Sequence, residues 1–387
     1  MEVFYLPNNS KNTTSLTLLI YLILLAYKRS SKKNRPIIMN SIPIFLAATN
    51  TYAVPLAVCL YSIIKHSSPE NHYHFHIISD DMSPENQATL KQLEKPEQIS
   101  IDFQNTSDKL NQKAKQIDCG RFSAMSLARL EAADIFPQYE KIVYLDVDTL
   151  INGDIAELYH SPLNEAPLAA ALDTGCLRLV MKDDVVTPHF LSLPLHHPSD
   201  YRNAGVMVMN LKKMRERNLA DAFIKKFDSG YKLAFLDQDA INLTLEGEMA
   251  YLPPSWNFHY TEIFLTYPEP TLNYALHGTP YEGLNKDFQA KSWKLLHMIG
   301  SKPWKADTGF LPAYYLEAWW PIAMECPIFR DEIRQLIPNF MHDVTAHTKK
   351  LRRKLLYSFF KTRQKRLKKI RNLEELMRTI MRLNQEL

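Results

Sequence analysis

Lys141-Ile142-Val143-Tyr144-Leu145-Asp146-Val147-Asp148-Thr149 is the stretch on which the fold of this chain turns. Its apolar run is rich in β-branched and aromatic residues and stops at Asn152-Gly153-Asp154, the pattern of a buried strand closed by a turn. Two carboxylates, one residue apart, end that strand. In extended backbone, residues i and i+2 face the same way, so Asp146 and Asp148 can converge on one cation. Unpartnered, they would repel each other and lose solvation beside a core strand, a cost that a bound divalent ion removes. The carboxyl ends of strands in open α/β sheets are also where such folds bind ligands. A solvated Asp-x-Asp in a loop is the alternative for the tripeptide alone. The strand before it and the segments on either side decide against that reading.

Working outward, strand and helix signals alternate. Residues 42–48 read as a strand running into Thr49-Asn50-Thr51-Tyr52, followed by a helical pattern through Leu56, Leu60, Ile63 and Ile64. Residues 73–78 form a second strand, and Ser83-Pro84 reads as a helix N-cap with proline at the first helical position. Residues 99–103 give a third strand and 126–136 a helix. This βαβα rhythm predicts an α/β fold, Rossmann-like, with a mostly parallel sheet and helices on both faces. His72, His74 and His76 alternate along the second strand and read as surface or edge residues rather than ligands. Downstream, polar residues stand where a core would want none. They are Asp173 after Leu168-Ala169-Ala170-Ala171-Leu172, Asn203 before Ala204-Gly205-Val206, and Asp237-Gln238-Asp239 opening a helix. Arg129 sits on a helix, and the run from Leu295 to Trp304 carries His297, Gly300 and Lys302.

Each of these is weak alone, and together they complete a site. Two carboxylates and a neutral imidazole leave positions open for diphosphate oxygens. Oxygen ligands with one nitrogen suit Mn²⁺, with Mg²⁺ as the alternative. Gly300 lets the backbone approach a phosphate, and Lys302 supplies a cation for it. A metal across a diphosphate stabilises it as a leaving group, as glycosyl transfer requires.

From about Ile42 to Trp304 the chain resembles glycosyltransferase family 8, which includes glycogenin and the bacterial lipopolysaccharide α-galactosyl- and α-glucosyltransferases. The resemblance rests, in order, on Ala47-Ala48-Thr49-Asn50-Thr51-Tyr52, Ala128-Arg129-Leu130, Tyr144-Leu145-Asp146-Val147-Asp148, Asn203-Ala204-Gly205-Val206, Asp237-Gln238-Asp239 and His297 through Trp304. It implies a GT-A fold, a UDP-hexose donor and retention of anomeric configuration. Carried over, Asp146, Asp148 and His297 hold the metal, and Tyr52 stacks on the base with Ala47 and Thr49 beside it. Arg129, Asp146, Val147 and Asn203 border the donor, and Gly300 and Lys302 contact the diphosphate. Asp173, Asp237 and Gln238 lie at the reacting sugar. The position beneath the anomeric carbon is Gln238, a poor nucleophile, which favours front-face attack over a covalent intermediate. Thr49 departs from an acidic residue in the family pattern, and one residue fewer separates Gly300 from Lys302. A nucleotidyltransferase would want a Gly- and Lys-rich N-terminal loop that is absent here. A non-catalytic sugar-nucleotide-binding module would not need the full acid pair with His297.

Composition fits a large catalytic domain with an appendage: 387 residues, 46% hydrophobic, 23% charged. Ten glycines, with neither a P-loop nor G-x-G-x-x-G, argue against a Gly-rich phosphate cradle. Cys59, Cys119, Cys176 and Cys326 lack metal-ligand spacing and fit a reducing compartment. Residues 349–373 hold twelve Lys or Arg and no acid, so a net charge of +4 leaves −8 for the rest. Leu351, Leu355, Leu356, Phe359 and Phe360 recur among those cations near helical spacing. The tail therefore reads as a basic amphipathic helix on an anionic membrane surface. Nucleic acid is not expected as a partner, because no recognition module accompanies the charge.

Residues 16–27 form an apolar run shorter than the ~20 needed to span a bilayer, and Met39 stands as an alternative start. The expected organisation is an N-terminal extension over 1–38, a GT-A domain over 39–310, a helical part over 311–348 and the basic tail over 349–387. The expected location is cytoplasmic, peripheral on the inner face of the cell membrane, acting on a glycan or glycolipid acceptor. Acceptor choice falls to the loops 174–200 and 258–283, the second carrying Tyr260, Phe264, Tyr267, Tyr274 and Tyr281.

Overall fold

The structure, a computed structural model, describes residues 40–117, 124–176, 192–259, 276–277, 281–282, 293–305, 313–355 and 360–386. The expected N-terminal extension, Cys119, Tyr260, Phe264, Tyr267, Tyr274, Leu356 and Phe359 lie outside the described residues. Everything below concerns the compact unit Ser41–Leu387, into which β1 leads.

Nine strands are described: β1 Asn40–Ala47, β2 Asn71–Ile78, β3 Ile99–Gln104, β4 Lys141–Leu145, β5 Thr149–Ile151, β6 Leu168–Leu172, β7 Arg202–Asn210, β8 Ala250–Tyr251 and β9 Leu295–His297. Seven of them form one sheet in the order β3-β2-β1-β4-β7-β6-β8, and β5 pairs with β9 in a separate ribbon. β2 with β3, β1 with β4 and β6 with β8 run parallel, whereas β7 is antiparallel to both neighbours, β4 and β6. The sheet is thus mostly parallel, with one reversed strand next to the decisive one.

Side-chain alternation explains why helices cover both faces. Val143 and Leu145 of β4 and Val206 and Val208 of β7 belong to one buried cluster. Their neighbours Ile142, Tyr144, Met207 and Met209 belong to another. A strand whose successive residues are all apolar must be buried on both sides. The helix Ala53–Lys65 and the C-terminal helices close the first face, and the segments around 124–136, 211–225 and 236–244 close the second. Ser83 caps the helix Pro84–Lys91 by accepting a hydrogen bond from Asn86 N at 3.2 Å, as its sequence predicts. The helix expected over 126–136 is instead a 3₁₀ segment, Ala124–Glu131, leading into a short α-helix, Ala132–Ile135.

The C-terminal chain packs more closely than a free surface helix would. Helices Ala313–Glu325, Ile337–Leu355 and Phe360–Glu386 lie against one another, and Trp319, Trp320, Phe340, Leu373 and Ile380 join the first core cluster. No described helix is long and apolar enough to cross a membrane.

Candidate active site

β4 ends at Leu145, so Asp146 and Asp148 do not sit in the extended strand end expected for them. They occupy the tight turn into β5. The chain turns there because Asp146 N donates to Gly205 O at 2.7 Å while the Thr149 hydroxyl donates to Asp146 O at 2.8 Å. Convergence survives by another route. The β5–β9 ribbon sets Thr149 opposite His297, and Met298 N donates to Asp148 O at 2.9 Å. His297 Nε2 then lies 3.2 Å from Asp148 Oδ1 and 3.6 Å from Asp146 Oδ2.

A buried chain of amides fixes which imidazole nitrogen faces the acids. Asn203 Oδ1 accepts from Gly205 N at 3.0 Å, so it also accepts from Asn257 Nδ2 at 2.9 Å. Asn257 must therefore turn its Oδ1 to His297, whose Nδ1–H donates to it at 3.0 Å. The lone pair of Nε2 is left pointing at two carboxylates. Donor atoms of all three residues lie within 4.8 Å of one another, a set that a divalent cation satisfies and that solvent reaches through the partly exposed acids.

Gly205 makes this approach possible. A β-carbon there would stand 2.2 Å from His297 Cε1 and 2.6 Å from Asp146 Oδ2. Lys302 pairs with Asp148 and donates to Met298 O at 2.6 Å. Burial pushes the Asp148 carboxyl up, but the Lys302 ammonium beside it outweighs that and holds the group well below the usual carboxylate range.

Arg129 connects the acid pair to a neighbouring polar cluster. Its guanidinium meets Asp146 at 2.8 Å, Asp237 at 3.0 Å and Ala204 O at 2.8 Å, and lies over the Tyr144 ring. Burial opposes its charge, and Asp146 and Asp237 more than offset that cost. Beyond it, Asp173 Oδ2 accepts from Asn203 Nδ2 and from Gln238 Nε2, both at 3.0 Å, and Oδ1 accepts from Cys176 N at 2.8 Å. Burial would raise the Asp173 carboxyl, but nearby His259, Asn203 and Cys176 N bring it well below its ordinary value. Gln238 Oε1 is itself engaged by Ala204 N at 3.0 Å.

An acid pair with a converging imidazole, an arginine clamp and a buried polar cluster thus meet at the carboxyl end of β4 in a sheet of this order. The sequence pattern of Glycosyl transferase family 8 matches residues 43–308. The chain belongs to that family. It is a glycosyltransferase with a GT-A fold.

Among relatives, a Haemophilus influenzae protein is 28% identical over 230 residues, covering 57% of this chain and 64% of its own length. The lipopolysaccharide 1,2-glucosyltransferase of Escherichia coli is 28% identical over 169 residues, 43% of this chain and 44% of that enzyme. The lipopolysaccharide 1,3-galactosyltransferase of Salmonella typhimurium is 23% identical over 290 residues, 69% of this chain and 76% of that one. The chain thus spans less than two thirds of the first two relatives. The galactosyltransferase LgtC, solved with donor and acceptor sugar analogues, shares the fold with a TM-score of 0.61 at 22% identity, over 76% of this chain and all of that one.

In this family 8 enzyme the metal candidates, Arg129, Asn203, Asp173, Asp237 and Gln238 are joined directly by the contacts above. Val147 is buried in the turn between the acids. Ala47 closes β1, and Thr49 caps the 3₁₀ turn Asn50–Tyr52 at the carboxyl end of that strand. Tyr52 meets Trp304 edge-on and accepts from Lys305 Nζ at 3.2 Å. Gly300 takes φ +81, a left-handed backbone that favours glycine, with open space beside it. Tyr281 is a core residue, donating to Leu252 O and accepting from Leu172 N. Gly205 and Asn257 are the residues that sequence reading passed over. A lone glycine inside Val-Met-rich strand sequence was the available signal for the first. Asn257, after Pro253-Pro254-Ser255-Trp256, offers none.

Proposed function

We propose that this family 8 glycosyltransferase moves a hexose, galactose or glucose, from a UDP-sugar to a lipopolysaccharide, lipooligosaccharide or related glycan acceptor, with retention and with Mn²⁺. The observation carrying this reading is the joined cluster Asp146–Asp148–His297–Arg129, pre-oriented by Asn257 and continuous with the polar residues Asp173, Asn203 and Gln238. A cation held by Asp146, Asp148 and His297 would supply positive charge to the departing diphosphate. Lys302, paired with Asp148, would shift to that diphosphate when the donor enters. Asp173 and Asp237 are held by neighbouring donors, and their remaining acceptor positions would orient sugar hydroxyls rather than attack. Gln238 cannot serve as a nucleophile without giving up its bond to Ala204 N, which supports front-face attack in which the diphosphate oxygen takes the acceptor's proton.

The basic C-terminal helix supports peripheral attachment to the inner face of the membrane. Arg363, Lys365, Lys368 and Lys369 are exposed on it, and each such cation near an anionic surface contributes roughly 1 kcal/mol. Incubation with Mn²⁺ and a panel of nucleotide-hexoses, followed by mass spectrometry of UDP release and NMR of the product anomer, tests the reading. Release of UDP from one UDP-hexose with an α-linked product is expected. A preference for a non-uridine donor, or an inverted product, would contradict it.

A further inference from the structure

Sequence alone places His72, His74 and His76 at a surface or sheet edge. His76 is instead only 2% exposed, and its Nδ1 has no hydrogen-bond partner. A buried polar nitrogen left unpaired is destabilising and rare in folded proteins, so the arrangement points to a ligand. His74 and His76 share one face of β2, with ring centroids 3.9 Å apart. On the parallel neighbour β3, Asp102 is the register partner of His76, and its carboxylate lies 2.5 Å from His74 Nε2. Donor atoms of His74, His76 and Asp102 lie within 4.8 Å of one another.

We propose that His74, His76 and Asp102 form a second cation site, separate from the acid pair at the end of β4, for a first-row transition ion of the Zn²⁺ class. Two imidazoles and one carboxylate are the donor set such ions favour, where Mn²⁺ and Mg²⁺ prefer more oxygen. Tyr139 supplies the outer support. Its Oη lies 3.0 Å from His76 Nε2 and 3.0 Å from His74 Nδ1. An Oη has two acceptor lone pairs, so both rings can donate to it. His76 Nδ1 is then a free lone pair, while His74 Nε2 donates to Asp102 in the ion-free protein and would bind the ion once its hydrogen moves to Nδ1, which then donates to Tyr139. Asp102, 53% exposed in its side chain, gives the ion a route from solvent. Tyr139 precedes β4, so an ion here would tie the edge of the sheet to the segment leading into the acid pair.

The test uses the untagged full chain, stripped with chelator and then titrated with Zn²⁺ by calorimetry and with Co²⁺ by visible absorption. His74→Gln and the exposed Asp102→Asn should each lose one equivalent of bound Zn²⁺, or weaken it at least tenfold. Zn²⁺ should raise the melting temperature of the wild type and not of Asp102→Asn. Mn²⁺-dependent activity should be unchanged in both variants. Zn²⁺ isotherms of the folded Asp102→Asn protein that superimpose on those of the wild type would overturn the site, as would an equivalent lost only on Asp146→Asn.

Discussion

Gly205 is the residue at which backbone and chemistry meet most tightly. The sheet allows any residue at that point in β7, yet a single methyl would overlap both His297 and Asp146. Gly205→Ala should therefore fold and lose its metal site, with Mn²⁺ affinity falling at least tenfold by calorimetry. Asn257→Ala should weaken Mn²⁺ by 10–100-fold, because the His297 tautomer is no longer imposed. Wild-type Mn²⁺ affinity in both variants would disprove the amide chain as the device that orients His297.

Asp173 tests the electrostatics of the same site. Its folded carboxyl is depressed, so the native state binds fewer protons than the unfolded one between the folded value and the ordinary 3.8. Its stabilising contribution is full above that ordinary value and is lost as pH falls through the folded one. At pH 7, Asp173→Asn should lower urea stability by about 2 kcal/mol, the worth of hydrogen bonds to a charged group. The gap to wild type should narrow below about pH 4. A gap that stays constant down to acid unfolding would show that Asp173 is not held ionised by its neighbours.

At the scale of elements, the apolar strands were legible because period-2 burial on two faces leaves a continuous apolar run. β1 and β4 follow that rule, whereas β2 and β3, toward the sheet edge, alternate apolar and polar residues and were legible by that alternation. What the sequence could not show was direction, and β7 runs against its neighbours with no local signal to say so. The β5–β9 ribbon was hidden as well, since three-residue strands joined across the chain carry no periodicity. The basic tail was legible as a charged amphipathic helix, but not as a packed one. Ile370, Leu373 and Ile380 are buried, and Arg352 bonds Glu374 at 2.6 Å between the two last helices. Deleting residues 360–387 should then expose core and lower the melting temperature by several degrees, a consequence that a freely dangling tail would not have. Replacing Arg363, Lys365, Lys368 and Lys369 with Gln separates the two roles. Vesicle sedimentation should show binding to anionic lipid reduced by up to about a thousandfold at roughly 1 kcal/mol per charge, with the melting temperature kept. Unchanged sedimentation would assign membrane contact elsewhere.

Across the whole molecule, fold and site are one construction. A mostly parallel sheet places the carboxyl ends of β1 and β4 side by side, which puts Tyr52 and the acid pair on a common edge. The reversed β7 then delivers Asn203 and Gly205 to that edge, and the β5–β9 ribbon returns His297 to it from far along the chain. Membership of family 8 fixes the chemistry as glycosyl transfer. We propose that Asp146, Asp148 and His297 hold the cation on which transfer depends. The most direct measurement is single-turnover transfer from the active UDP-hexose by metal-stripped protein, with Mn²⁺ added back, in the wild type and in His297→Ala. Transfer should vanish in chelator, return fully with Mn²⁺ in the wild type, and remain at least a hundredfold slower in folded His297→Ala at the same Mn²⁺ concentration. Full turnover of the wild type in chelator, or full rescue of His297→Ala by that Mn²⁺, would contradict it.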